Sequence, residues 1–415
     1  MLDILLGFWA VAVLMHWSLI SYFLMIIFCI SILDSTEGGE LSVKLTFFML
    51  SIWLTLMMML SVDLNLKSKE LLFIFMFMLL FLMMAFYSDS MFMFYVSFEM
   101  SVIPILFVIL GWGYQPDRVE AGIYMLSYTV FFSLPLLVKI MTMEYGNVEV
   151  MFIGYLSFIM AFLVKIPMVG FHYWLPRAHV EAPVFGSMIL AGVMLKLGGY
   201  GIFKVALIIG DSMLDYNLFI IILSVMGGVF LSGVCFVQSD LKMLVAYSSV
   251  VHMSLVLGGV LTLSELGLNG AIYMMVGHGF CSSGLFCVLG LTYKRSLTRS
   301  MILNKGFLSV IPICSLWWFL FCSSNLSFPP SLNLAGELFL FIAILSSCSY
   351  MFFFMGVLGV LSSMYSIYLF SFTQQSSLIN FYSFKSFSVM ESLLLLLHWI
   401  PLNGLILNLS IVSFF

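Results

Sequence analysis

The chain has 415 residues, of which 63% are hydrophobic and 8% charged, with a net charge of −4 and a mean hydropathy of +1.19. Soluble globular proteins carry about 25% charged residues, so this composition excludes a water-facing surface and describes an all-α or barrel protein of the membrane. No basic arm and no interleaving of basic with aromatic residues points to nucleic acid.

A crossing helix takes about 20 apolar residues. That rule predicts thirteen spans, over 4–32, 43–62, 70–88, 91–112, 119–142, 150–170, 184–208, 215–237, 243–262, 268–292, 306–345, 350–372 and 391–412. The apolar runs are continuous and do not alternate, which selects helices over a barrel. The opening MLDILLGFWA lacks a basic region and a small-residue cleavage site, so it reads as part of the first span and not as a leader. That span is long enough to hold a short hairpin. The eleventh is too long for one helix and contains SFPPSLN, so it is predicted to break at Pro329 and Pro330. The seven cysteines form no CxxC pair and mostly lie in apolar runs, as small helix residues do.

Basic residues support this layout. Loops after even-numbered spans hold Lys67, Lys69, Arg118, Arg177, Lys242, Lys294, Arg295, Arg299, Lys305 and Lys385, whereas the opposite side holds Lys44, Lys139 and Lys204. The positive-inside rule puts the even loops on the cytoplasm-equivalent side.

Four charges remain at membrane depth: Glu99, Lys165, Lys196 and Glu337. Two histidines join them, His252 and His278. At 1.5 Å per residue, Glu99 lies about 13 Å into its span, Lys196 about 18 Å and His252 about 14 Å. Those depths approach the middle of a core about 30 Å thick, where each charge costs roughly 2.5–3.5 kcal/mol. One reading is structural, with Glu–Lys pairs holding the bundle together. The favoured reading is a proton relay. Acid, base, base, histidine and acid follow one another along successive spans, and burial draws the pKa values of carboxylates and amines toward each other. Histidine suits such a relay by its intrinsic pKa, although a lone histidine in a core is as often only hydrogen-bonded.

Lys165 stands two residues before Pro167, which cannot continue the hydrogen-bond ladder. The sixth helix is therefore predicted to end there, with its partially negative carbonyl end beside the ammonium. The breaks in spans six and eleven are five spans apart, the pattern of an inverted repeat. The organisation expected is N-terminal helices over 1–88, a first five-helix repeat over 89–208, a second over 209–372 and a C-terminal helix over 373–415. No nucleotide-binding P-loop and no haem-ligating histidine pair is present in the sequence, and the glycines of GVMLKLGGYG and HGFCSSG read as close-packing positions.

The stretches FYVSFEMSVIPILFVILGWGYQPDRVEAGIYMLSYT, AFLVKIPMVGFHYWLPRAHVEAPVFGSMILAGVMLKLGGYG, QSDLKMLVAYSSVVHMSLVLGG, GHGFCSSGLF and PPSLNLAGE, in that order, resemble the chain 4 family of mitochondrial NADH:ubiquinone oxidoreductase, respiratory complex I. The match runs from about residue 45 to the C-terminus, and the tail LLLLLHWIPLNGLIL is similar to invertebrate members. The resemblance implies an antiporter-like, proton-pumping subunit of the mitochondrial inner membrane, with its even loops facing the matrix. It implies no cofactor in this chain, with NADH, FMN, iron–sulfur clusters and ubiquinone bound by other subunits. It also implies neighbouring antiporter-like chains and lipids such as cardiolipin as partners. By the same resemblance Glu99 and Lys165 form a controlling ion pair, Lys196 is the central relay, His252 and His278 continue the path, and Glu337 faces the exit. A multi-subunit cation/proton antiporter is the alternative. The chain departs from the family's usual fourteen helices at its N-terminus, which is short of the first, and over 145–156.

Overall fold

The computed structural model describes residues 16–38, 43–143, 152–210, 214–375 and 386–413. Among the described residues ten helices are long and apolar enough to cross a membrane, and three shorter apolar ones join them. In chain order these are α1 (Trp17–Gly38), α2 (Val43–Ser61), α3 (Lys69–Tyr87), α4 (Met91–Trp112) and α5 (Arg118–Met143). Next come α6 in two halves (α6a Phe152–Lys165, α6b Trp174–Glu181) and α7, which runs from Val184–Ile189 through a π turn over Leu190–Met194 into Leu195–Ile209. After these lie α8 (Leu214–Cys235), α9 (Leu241–Leu261) and α10 (Glu265–Ser296). The chain closes with α11 in two halves (α11a Pro312–Asn325, α11b Leu332–Ser347), α12 (Phe352–Gln374) and α13 (Val389–Gly404). The predicted spans thus reappear one for one from α1 onward. The hairpin considered for the first span would involve residues 1–15, outside the described residues, as does most of the short stretch 145–156.

Both predicted breaks are present. α6a ends on Lys165 and α11a ends on Asn325, three residues ahead of Phe328-Pro329-Pro330. Each break strands carbonyls that the ladder no longer serves, which is costly in a membrane. The two halves answer this in the same way. Trp174, the first residue of α6b, donates its indole N–H to Val164 O at 3.0 Å, and Asn333, the second residue of α11b, donates its amide at 2.9 Å to Ser324 O, which outside the i→i+4 ladder also accepts from Ser327 N at 3.2 Å. The acceptor in each case is the residue just before the last one of the first half. A further proline, Pro401 in α13, removes the N–H that would serve Leu397 O, and Trp53 Nε1 of α2 donates there instead, at 3.1 Å.

The middle of the bundle is formed by α7, α9 and α10, whose spanning stretches are almost wholly enclosed by other helices. α10 packs against α9 and α11b. The contact with α11b is backbone to backbone: a Cβ on Gly336 would lie 2.8 Å from Met274 N and 2.9 Å from its Cα. The expected close-packing role of the glycine-rich stretches is seen at Gly279, where a Cβ would stand 3.2 Å from Gly192 O. Gly336→Ala is expected to force α11b off α10 at a cost of about 1–3 kcal/mol, read as a lower melting temperature of the detergent-solubilised assembly; an unchanged melting temperature would show that the contact yields.

Candidate buried polar axis

The six residues singled out above lie on α4, α6a, α7, α9, α10 and α11b, and the fold brings four of them into one contiguous seam. Lys196 is fully buried two residues after the end of the π turn. The π register takes the Ala191 carbonyl out of the ordinary i→i+4 ladder, and Lys196 Nζ donates to it at 2.5 Å. The same nitrogen stands 3.0 Å from His278 Nδ1 on α10. An ammonium donates to a bare Nδ1 and a neutral amine accepts from a protonated one, so this contact holds a proton on either partner.

The His278 and His252 rings lie 5.6 Å apart between centroids, inclined at 46°. His252 Nδ1 in turn faces Glu337 Oε1 at 3.3 Å, somewhat out of line for a hydrogen bond. Its Nε2 meets the hydroxyl of Tyr365, on α12, at 3.1 Å. Both rings and Tyr365 are buried, whereas the Glu337 side chain keeps 16% of its surface exposed. Glu337 is thus where the seam approaches the outside of the bundle.

The other two residues form a separate station. Lys165 is buried at the carbonyl end of α6a, and its Nζ lies 4.4 Å from the centre of the Phe98 ring. A cation above an aromatic face is stabilised by the ring quadrupole, by about 2 kcal/mol when desolvated. Glu99, next to Phe98 in sequence, sits where α4 turns at Ser101, and Pro104 disturbs the ladder one turn on. Its Oε1 is buried without a partner, and Tyr95 and Ser133 stand beside it, their oxygens 3.4 Å apart. The expected Glu99–Lys165 ion pair is therefore not closed: Phe98 takes the lysine, and the carboxylate acts on it only through the field. Lys165 and Lys196 are nevertheless on touching helices, since a Cβ on Gly198 would stand 3.2 Å from Lys165 Cβ.

The ion pairs that do close lie elsewhere than between the buried acids and lysines. Among the described residues, Lys44–Asp89, Arg177–Glu120, Lys294–Asp63 and Arg295–Glu391 lie at helix ends, and the one carboxylate paired in the interior faces a histidine. At the exposed Asp89, the hydrogen bond from Lys44 and its charge hold the carboxyl below the usual range. No Glu–Lys pair locks the core among these residues.

Three features escape a reading of the sequence. Tyr365 in SSMYSIYLF is indistinguishable from any lipid-facing tyrosine until α12 is packed against α9. His179 is fully enclosed, stacked on Phe286 at 4.6 Å with both ring nitrogens unpartnered; its position in PRAHVEAP was the available signal. Lys242, counted above as a loop residue, is 6% exposed and donates to Ala182 O at 2.9 Å, so with Arg299, which donates to Val180 O at 3.0 Å, it holds the carbonyl end of α6b.

Residues 88–364 match the family described as NADH:quinone oxidoreductase/Mrp antiporter, TM. The NADH-ubiquinone oxidoreductase chain 4 of Ceratitis capitata is 48% identical over 345 residues, 80% of this chain and 77% of that protein. The chain belongs to this family, in its chain 4 branch. The fold is similar to a chain of respiratory complex I from Thermus thermophilus with bound NADH, with a TM-score of 0.86 at 19% identity over 99% of this chain and 98% of that one. It is also similar to a chain of the Mrp complex from Dietzia sp. DQ12-45-1b, with a TM-score of 0.76 at 16% identity over 90% of this chain and 77% of that one. The family match takes in Glu99, Lys165, Lys196, His252, His278 and Glu337.

Proposed function

We propose that this chain is a core membrane-arm subunit of respiratory NADH dehydrogenase that moves protons across the mitochondrial inner membrane, driven by electron transfer from NADH to ubiquinone in other subunits. The observation that carries the reading is the seam Lys196–His278–His252–Glu337, in which exchangeable groups meet at 3.0 and 3.3 Å with one ring-to-ring step between. NADH, FMN, iron–sulfur clusters and ubiquinone belong to the other subunits, and the partners are neighbouring antiporter-like chains and lipids such as cardiolipin. The even loops face the matrix. The two halves, 89–208 and 209–372, act as inverted repeats between N-terminal helices over 1–88 and a C-terminal helix over 373–415. The matching staples at the two breaks support that pairing.

The mechanism begins at Glu99 and Lys165. Displacing the carboxylate by a charge change in the neighbouring subunit lowers the field that favours the ammonium. Lys165 then releases its proton toward Lys196 through water. Lys196 passes it to His278 Nδ1, His278 to His252, and His252 Nδ1 to Glu337, from which it leaves on the odd-loop side. Every step moves one proton between a nitrogen or oxygen donor and an acceptor, and no electron is transferred in this chain.

Glu337→Gln keeps the shape of the terminal group and removes its proton affinity. The expected result is loss of most proton uptake per NADH oxidised in coupled membranes, with the complex assembled. A full proton yield would remove Glu337 from the path. The likeness to the Mrp complex keeps a second reading in view, a subunit of a cation/proton antiporter. Co-purification of this chain with flavin and iron–sulfur proteins separates the two.

A further inference from the structure

We infer that Tyr365 is a positioning residue that latches His252 toward Glu337 and away from His278. The inference rests on the relay reading above and names a device within it.

Histidine has two ring nitrogens, and at His252 both are turned away from His278: Nε2 is hydrogen-bonded with the Tyr365 hydroxyl at 3.1 Å, and Nδ1 faces Glu337 Oε1 at 3.3 Å, out of line for a formed bond. His278 is a ring's width away, 5.6 Å between centroids, yet Nε2 of His252 is held by Tyr365 and Nδ1 faces the carboxylate, so neither is presented to His278. In this orientation His252 belongs to the exit. Loading from the His278 side requires the ring to swivel, and the swivel breaks the bond to Tyr365.

A phenol hydroxyl both donates and accepts. An imidazolium at His252 donates Nε2–H to the Tyr365 oxygen and Nδ1–H to Glu337. On release, the Nδ1–H bond breaks, the carboxylate gains the proton, and the neutral ring keeps Nε2–H on Tyr365. The latch therefore holds throughout release and opens only on reloading. A proton delivered to Glu337 cannot ride the same ring back to His278 without that bond being broken first. Both side chains are fully buried, so bulk water does not compete for either. Phenylalanine at 365 would fill the same space without the hydroxyl, leaving the ring free to turn while charged.

The test compares Tyr365→Phe, Glu337→Gln and the double variant in the assembled complex in coupled membranes. It reads protons moved per NADH oxidised, with and without an opposing proton gradient. One buried hydrogen bond is worth a factor of about five in such an equilibrium. Tyr365→Phe is therefore expected to lower the ratio about five-fold against the gradient and far less without it. Tyr365→His, which restores a donor, recovers part of the loss, and the double variant falls no lower than Glu337→Gln alone. A merely structural tyrosine would slow NADH oxidation and proton movement together and leave the ratio alone, which overturns the latch. If Glu337→Gln lowers the ratio but Tyr365→Phe does not, the latch is wrong and the relay stands. If Glu337→Gln has no effect, the relay falls and the latch with it. Failure of Tyr365→Phe to assemble would assign the hydroxyl to folding and equally overturn the proposal.

Discussion

Lys196→Ala is expected to lower proton translocation by about 100-fold or more, the usual contribution of a positioned acid–base group, while the complex still forms. Lys196 is the member of the seam whose polar atom touches both a helix carbonyl and the next residue of the seam, Ala191 O at 2.5 Å and His278 Nδ1 at 3.0 Å. Removing it empties the link between the α6–α7 half of the bundle and the histidines of α9 and α10. The variant also leaves a buried carbonyl and an imidazole nitrogen without their partner, a loss of about 1–3 kcal/mol. Stability and transport must therefore be read separately. Lys196→Met, which fills the space without the charge, should recover part of the lost stability and leave transport absent. The measurement is acidification of sealed vesicles per NADH oxidised; a normal ratio in either variant would show that protons bypass α7.

Glu99→Gln is expected to lower the same ratio about ten-fold and to leave the fold unchanged. The reason differs from that for Lys196, because Glu99 does not touch Lys165. Opposite charges a few ångströms beyond contact, at an effective dielectric near 20, still interact by roughly 2 kcal/mol, enough to set whether Lys165 keeps its proton. The amide is nearly isosteric, so Tyr95 and Ser133 keep a polar neighbour. Phe98→Leu offers a cross-check, since it removes the ring under Lys165 Nζ and should let the lysine approach the carboxylate. Undiminished translocation in Glu99→Gln would take the carboxylate out of the mechanism and leave Lys165 governed by Phe98 and the α6a carbonyl end alone.

The spans were legible because hydrocarbon thickness imposes a length that few other constraints disturb. The breaks were legible because proline has no N–H, and the charged residues because they are rare at that depth. What the sequence did not show was orientation. The resemblance implied a direct Glu99–Lys165 pair, but the ring of Phe98, the neighbour of Glu99 in sequence, is the group the ammonium faces. The π turn over Leu190–Met194 follows from packing in the middle of α7, and no periodicity in LAGVM announces it. Tyr365 carries no intrinsic sign of its partner, since α12 meets α9 only after the long connection of α11 has been laid down. Lys242 was assigned to a loop by its distance from the apolar run, and its burial arises from the stranded carbonyls of α6b, which lie far off in the sequence.

Gly336 has a mechanical corollary. The glycine immediately before Glu337 is seated on the main chain of α10, too close for even a methyl group to pass. The acid is thus bolted to the same beam that carries His278, and a piston stroke of one rod along the other would jam at that point. Motion along this seam is thus left to swivelling tips on a stationary chassis, at the pace of a rotamer flip.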